Sequence, residues 1–160
     1  MTQLNLTPAR AEDVPQILAF VKALADYEKA PDAVVATESD LNDALFGPQA
    51  NAHALMCFHG EIAIGFALYF YNFSTWTGKR GLYLEDLFVL PEHRGLGAGK
   101  ALLEALARIA VEQDCRRMEW SVLDWNTPAI EFYDSIGAKP LSEWIGYRLE
   151  GEPLQRLGSI

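Results

Sequence analysis

Nine residues, Leu82-Tyr83-Leu84-Glu85-Asp86-Leu87-Phe88-Val89-Leu90, run through Pro91-Glu92-His93 into Arg94-Gly95-Leu96-Gly97-Ala98-Gly99-Lys100 and on into a long amphipathic segment. Leucines and aromatics ended by a proline that cannot donate to a ladder predict a strand. Leu102, Leu103, Leu106, Ile109 and Ala110 recur at three- and four-residue steps and leave Glu104, Arg108 and Glu112 on another face, which predicts a helix. Between them lie three glycines in five residues. Such a loop lets a ligand approach the backbone closely, and the helix start adds unpaired N–H groups and the positive end of a dipole. The unit is therefore an anion site, best suited to phosphate.

Two common phosphate motifs are excluded. Gly95, Gly97 and Gly99 place the third glycine one residue early for a dinucleotide fingerprint, where Lys100 stands. A P-loop fails as well, because Arg94 replaces its first glycine and Ala101 its Ser/Thr. The pattern that fits is Arg-x-x-Gly-x-Gly, at Arg94, Gly97 and Gly99. It resembles the acyl-CoA motif of the GNAT N-acetyltransferases, in which successive loop amides hold the pyrophosphate of coenzyme A.

The 160 residues, half of them hydrophobic, suffice for one domain with a substantial core. A formal charge of −9 without a Lys/Arg stripe argues against a nucleic-acid partner and favours cationic substrates. Cys57 and Cys115 show no metal-ligand spacing and read as free thiols in a reducing compartment, so no metal is expected. With no leader pattern and no membrane-length apolar run, the expectation is a cytoplasmic protein without a membrane partner.

Along the chain, Met1 to Pro8 reads as a first strand, and the segment after Ala11-Glu12-Asp13 as a helix opened by acidic residues and Pro15 and ending near Tyr27 to Pro31. Thr37-Glu38-Ser39-Asp40 caps a short second helix that Gly47-Pro48 stops. Ala52 to His59 and Ile62 to Tyr71 form a hairpin around Gly60-Glu61, followed by a loop over Asn72 to Arg80. After the glycine-loop helix come a strand over Arg117 to Val122, a short helix opened by Asp124-Trp125-Asn126-Thr127-Pro128 and ended by Gly137, and a strand around Trp144 to Leu149. This order describes a mixed α/β sheet with helices on its faces.

Six ordered stretches extend the resemblance to the spermidine/spermine N-acetyltransferases within the GNAT family. They are Ala25-Asp26-Tyr27-Glu28, Trp76-x-Gly78-Lys79, Tyr83 to Val89, Arg94 to Gly99, Trp125-Asn126-x-Pro128-x-Ile130-x-Phe132-Tyr133 and Gly137-Ala138. The resemblance implies one domain over residues 1–160, with a mostly antiparallel sheet, a splayed parallel strand pair in which the Tyr83 to Leu90 strand is central, and helices on both faces. It implies acetyl-CoA as co-substrate, a small-molecule amine as acceptor, and a homodimer, to which the aromatics Trp144 and Tyr147 also point.

The chemistry gives these positions roles. An amine is protonated at neutral pH, so transfer from a thioester needs a proton acceptor, a polarised carbonyl and a donor for the leaving thiolate. Glu85, in an apolar run where burial would raise its pKa, suits the acceptor, directly or through water. A structural carboxylate is the alternative from the residues alone. The resemblance implies that Tyr133 protonates the thiolate and that the Val89 amide polarises the carbonyl. It places acetyl-CoA on Leu87, Phe88, Val89, Arg94, Gly95, Leu96, Gly97, Ala98, Gly99, Lys100, Asn126, Pro128, Ala129 and Tyr133. The amine falls to Tyr27, Glu28, Trp76, Glu85 and Asp86. Polyamine acetylators tend to carry acids two places before the Trp76 equivalent and near Trp144 to Tyr147, where this chain has Ser74 and Trp144-Ile145. The expectation is therefore a short diamine or lysine-like amine in preference to spermine. Acetylation of protein amines, or acyl-CoA binding without turnover, are the alternatives.

Overall fold

The computed structural model describes residues 3–159, so Met1 and Thr2 of the expected first strand lie outside the described residues. The chain forms two compact units, one reaching Ser121 and the other beginning at Val122.

The first unit is built on a five-stranded sheet in the order β1-β2-β3-β4-β5, with β1 Leu4–Pro8, β2 His53–His59, β3 Ile62–Ser74, β4 Lys79–Val89 and β5 Arg117–Glu119. Consecutive strands pair antiparallel until β4 and β5, which are parallel and joined through α3, Ala98–Glu112. β3 is thus the middle strand, and β4, expected at the centre, stands fourth.

One face of the sheet is closed by α1, Val14–Tyr27, which sets Ile17 and Phe20 against Ala54, Met56, Phe66 and Phe88. Phe20 stacks on Phe66 with centroids 5.7 Å apart and meets Phe88 at the same distance. Leu41 and Leu45 of α2, Glu38–Phe46, pack at the margin of this cluster. The Thr37 hydroxyl accepts from the Asp40 amide at 3.1 Å and the Asp40 carboxylate from the Thr37 amide at 2.9 Å, a reciprocal cap that starts α2 where its sequence predicts. Leu87 alternates with Phe88, and a Cβ on Gly99 would meet its Cδ2 at 3.9 Å, so α3 covers the opposite face with Leu102, Leu103, Leu106 and Ala110 buried.

The segment expected as a loop over Asn72 to Arg80 is mostly strand. Asn72 pairs with Gly81, Phe73 with Arg80 and Ser74 with Lys79, leaving a turn of four residues. In it the Ser74 hydroxyl accepts from the Trp76 and Thr77 amides at 3.2 and 3.3 Å, and Gly78 takes φ +69°. Polar residues that read as a loop are thus consumed by cross-strand pairing, and tertiary context overrides composition.

The second unit contains α4, Thr127–Ser135, with Pro128 in its first turn, and α5, Gly151–Leu157. Gly137 follows α4 at φ +90°, as a helix-ending glycine does. The strand expected at Trp144 to Leu149 is absent among the described residues. β-rich composition becomes a strand only when a ladder satisfies the backbone, and among the described residues no strand of the sheet pairs with this segment.

Candidate active site

The first determinant of the site is where β5 stops. Its parallel pairing covers Gly81 with Arg117, Leu82 with Met118 and Tyr83 with Glu119, shorter than the expected run to Val122. The Tyr83 hydroxyl meets the Ser121 hydroxyl at 3.2 Å just past the last pair. From Leu84 to Val89 the outer edge of β4 has no ladder partner among the described residues. On its inner edge the Leu90 amide donates to the Ile64 carbonyl at 2.8 Å. Because N–H and C=O directions alternate along an antiparallel pair, the backbone groups of Val89 and Leu87 point outward from that open edge. Leu87 and Val89 are two of the three strand residues that the resemblance placed on the cofactor; the third, Phe88, turns its ring into the cluster with Phe20 and Phe66 instead.

The glycine loop continues from this edge. Gly95 and Gly97 take φ +90° and +81°, a region that side-chain-bearing residues rarely occupy, and Gly97 is the residue that caps α3. A Cβ on either would meet nothing within 4 Å, so the space above the loop is open. The first helical bond runs from the Ala101 amide to the Gly97 carbonyl at 2.9 Å. The amides of Ala98, Gly99 and Lys100 therefore precede the helical ladder and converge at its positive end. Open glycines beneath amides that precede the helical ladder fit a pyrophosphate; the exposed Lys100 ammonium, 3.8 Å from Glu104, adds a positive charge.

The acceptor side is shaped by a bulge. Leu68 pairs with Asp86 and Tyr69 with Leu84, so Glu85 is the extra residue of β4. The extra residue breaks the alternation, leaving Leu82 and Leu84 on the α3 face before it, Leu87 and Val89 on that face after it, and Asp86 on the α1 face with Phe88. The burial expected for Glu85 falls instead on Asp86. Glu85 is exposed, whereas Asp86 is largely buried and its pKa is pushed up to about 6, first by desolvation and then by the charges of Glu85 and Glu28. Glu28, at the end of α1, is itself raised by desolvation. The charges of Glu85 and Glu28 thus both reach Asp86, which brings the end of α1, with Tyr27 and Glu28, into the electrostatic surroundings of the bulge. The signal for the bulge was in the sequence, as a three-residue step from Leu84 to Leu87 in an otherwise two-residue apolar rhythm.

Arg94 adds a connection that sequence reasoning missed. Its Nε donates to the outward Val89 carbonyl at 3.3 Å, and its guanidinium carbon lies 5.2 Å from the centroid of the Tyr27 ring. Trp76 goes elsewhere. It sits 79% exposed on the β3–β4 turn, and at about 3.3 Å per residue β4 alone separates Lys79 from Glu85 by about 20 Å. Within the second unit, Asn126 precedes α4, Pro128 and Ala129 lie in its first turn, and Tyr133 is half-buried with its ring 6.0 Å from that of Phe132.

Residues 18–138 match the acetyltransferase (GNAT) family. The chain belongs to that family. It is 35% identical to a thialysine N-epsilon-acetyltransferase of Sus scrofa, over 98% of each chain. An integron cassette protein from V. cholerae superposes with a TM-score of 0.81 at 28% identity, over all of this chain and 99% of the other. An aminoglycoside N-acetyltransferase solved in complex with CoA shares the fold, with a TM-score of 0.74 at 18% identity over 94% of this chain and 97% of that one. The GNAT chain is an enzyme, an N-acetyltransferase, and acetyl-CoA is the acetyl donor of its family. Among the described residues no helix is long and apolar enough to cross a membrane, and no three His, Cys, Asp or Glu side chains gather as a metal site.

Proposed function

We propose that this acetyltransferase moves the acetyl group of acetyl-CoA directly to the primary amine of a small cationic molecule, a lysine-like amine or short diamine, in a cytoplasmic setting. The observation that carries the substrate reading is that Asp86 feels the negative charges of both Glu85, at the β4 bulge, and Glu28, at the end of α1 next to Tyr27. One or two ammonium groups neutralise that set, and an aromatic face receives the second cation. The thialysine-acetylating relative takes a substrate of this size and charge.

In the reaction, the ammonium first gives a proton to Glu85, which its exposure and the bulge leave accessible to the amine or an intervening water. The nitrogen lone pair then attacks the thioester carbonyl, whose oxygen accepts from the outward Val89 amide as negative charge develops. A C–N bond forms, the C–S bond breaks, and Tyr133, matched to the family's tyrosine, supplies the proton taken up by the thiolate. The second proton, lost by the acylated nitrogen, passes through water to restore the tyrosine. Leu87, Val89 and the amides of Gly95 to Lys100 hold the donor, and the family resemblance assigns Asn126, Pro128 and Ala129 to it as well. The active assembly in this reading is a homodimer, supported by exposed Trp144, Ile145 and Tyr147 in the second unit.

The test is a thiol-release assay with thialysine, lysine, 1,3-diaminopropane, spermidine, spermine and an N-terminal peptide, compared by kcat/KM. The expected order places thialysine and the diamine above spermine and the peptide. A clear preference for spermine overturns the short-amine reading. Turnover of the peptide alone replaces it with protein acetylation.

A further inference from the structure

We propose that Arg94 is a positioning residue that couples the acetyl-CoA loop to the amine-binding end of α1 through its stack on Tyr27. The inference rests on the acetyl-CoA and amine assignments above. Arg94 is the residue that leads into the glycine loop, directly before Gly95. One edge of its guanidinium group is fixed by the Nε bond to the Val89 carbonyl at 3.3 Å, and its guanidinium carbon lies over the Tyr27 ring, 5.2 Å from the centroid. A single side chain therefore touches three things at once: the loop backbone by covalent attachment, the outward peptide at the end of β4, and an aromatic ring one residue from Glu28.

The consequence is mutual. Holding the Val89 carbonyl orients the peptide whose neighbouring amide faces the thioester, and the ring contact places Tyr27 with respect to the same loop. A loop drawn taut by pyrophosphate holds Arg94, Arg94 holds the Tyr27 ring, and the ring sets the wall beside Glu28. The coupling is reciprocal by thermodynamic necessity, so an amine that orders Tyr27 tightens CoA to the same degree. Lysine cannot substitute. Its ammonium carries the charge but has neither the Nε donor nor the planar surface.

The experiment is a double-mutant cycle with R94K and Y27L, with Y27F as the conservative control. Calorimetric titration of CoA is performed with and without saturating thialysine, and KM for thialysine is measured in parallel. In the wild-type protein thialysine tightens CoA, and in R94K that factor collapses to one. R94K raises the thialysine KM by about two- to five-fold, the range that an exposed cation–ring contact sustains. Y27F, which keeps the ring, behaves as wild type toward R94K, whereas in Y27L the R94K substitution has no further effect on thialysine KM. An R94K effect of equal size with and without the Tyr27 ring overturns the coupling and leaves Arg94 as a local loop residue. Failure of CoA to bind the wild-type protein instead overturns the acetyltransferase site itself, so the two failures are distinguishable.

Discussion

Leu68 on β3 pairs with Asp86, and the next residue, Tyr69, pairs with Leu84, so Glu85 has no partner across the sheet. This skipped residue separates two adjacent carboxylates by environment. Asp86 enters a largely buried position on the α1 face while Glu85 remains at the surface.

The first prediction concerns stability against pH. Burial raises Asp86 to about 6, so the folded chain retains a proton that the unfolded chain releases near pH 4. Stability from that proton is fully present below the unfolded value and drains away as pH rises through about 6. Asp86→Asn keeps the position neutral at every pH. Relative to wild type it should be more stable at pH 7.5, by on the order of 2 kcal/mol or about 4–8 °C in Tm, and little changed at pH 4. Calorimetric scans at both values check this, and equal shifts at the two pH values contradict it.

A second prediction separates chemistry from binding. Glu85→Gln and Tyr133→Phe should each lower turnover by about 10²- to 10⁴-fold while the folded variants still bind acetyl-CoA. The Glu85→Gln defect should shrink at high pH, where the amine is already neutral. Single-turnover kinetics across pH 7 to 10 read this directly, and wild-type turnover in both variants rules out the assigned roles.

The backbone of the site was legible in sequence because it is local. Val89, the glycines at 95, 97 and 99, and the start of α3 lie within one strand-loop-helix unit whose signals are contiguous. What depends on a second strand was harder to read. The bulge at Glu85 and the strand character of Asn72 to Ser74 are properties of the β3–β4 register, and a single strand shows its register only through a break in alternation. The Arg94 contact with Tyr27 joins residues 67 positions apart, which no local pattern encodes. At Trp144 to Leu149 composition promised a strand that no strand among the described residues completes.

The third prediction tests the loop. Gly97 sits at φ +81° with open space above it. Gly97→Val therefore meets no side-chain clash in the free protein but strains the backbone and places methyl groups where the phosphates approach. Acetyl-CoA affinity should fall by at least about ten-fold, since one extra unit of 1.4 kcal/mol is enough for that. Titration calorimetry on a variant with a native circular-dichroism spectrum provides the measurement, and unchanged affinity refutes the site.

The last prediction concerns assembly. Trp144, Ile145 and Tyr147 are 63%, 78% and 95% exposed within four residues of one another, a concentration of large apolar side chains that solvent does not favour. Fully burying such a side chain contributes about 1.5–3 kcal/mol, so a pair of aromatics from each chain supplies a substantial share of what a micromolar dimer requires. If these residues form the interface between two copies, the wild-type protein scatters light as a homodimer at micromolar concentration. The double substitution Trp144→Asp and Tyr147→Asp then places two carboxylates of each chain in that apolar contact and shifts the mass towards the monomer. A native circular-dichroism spectrum of the variant checks that it keeps its fold. A wild-type protein that remains monomeric removes the dimer, and a variant that remains dimeric moves the interface elsewhere.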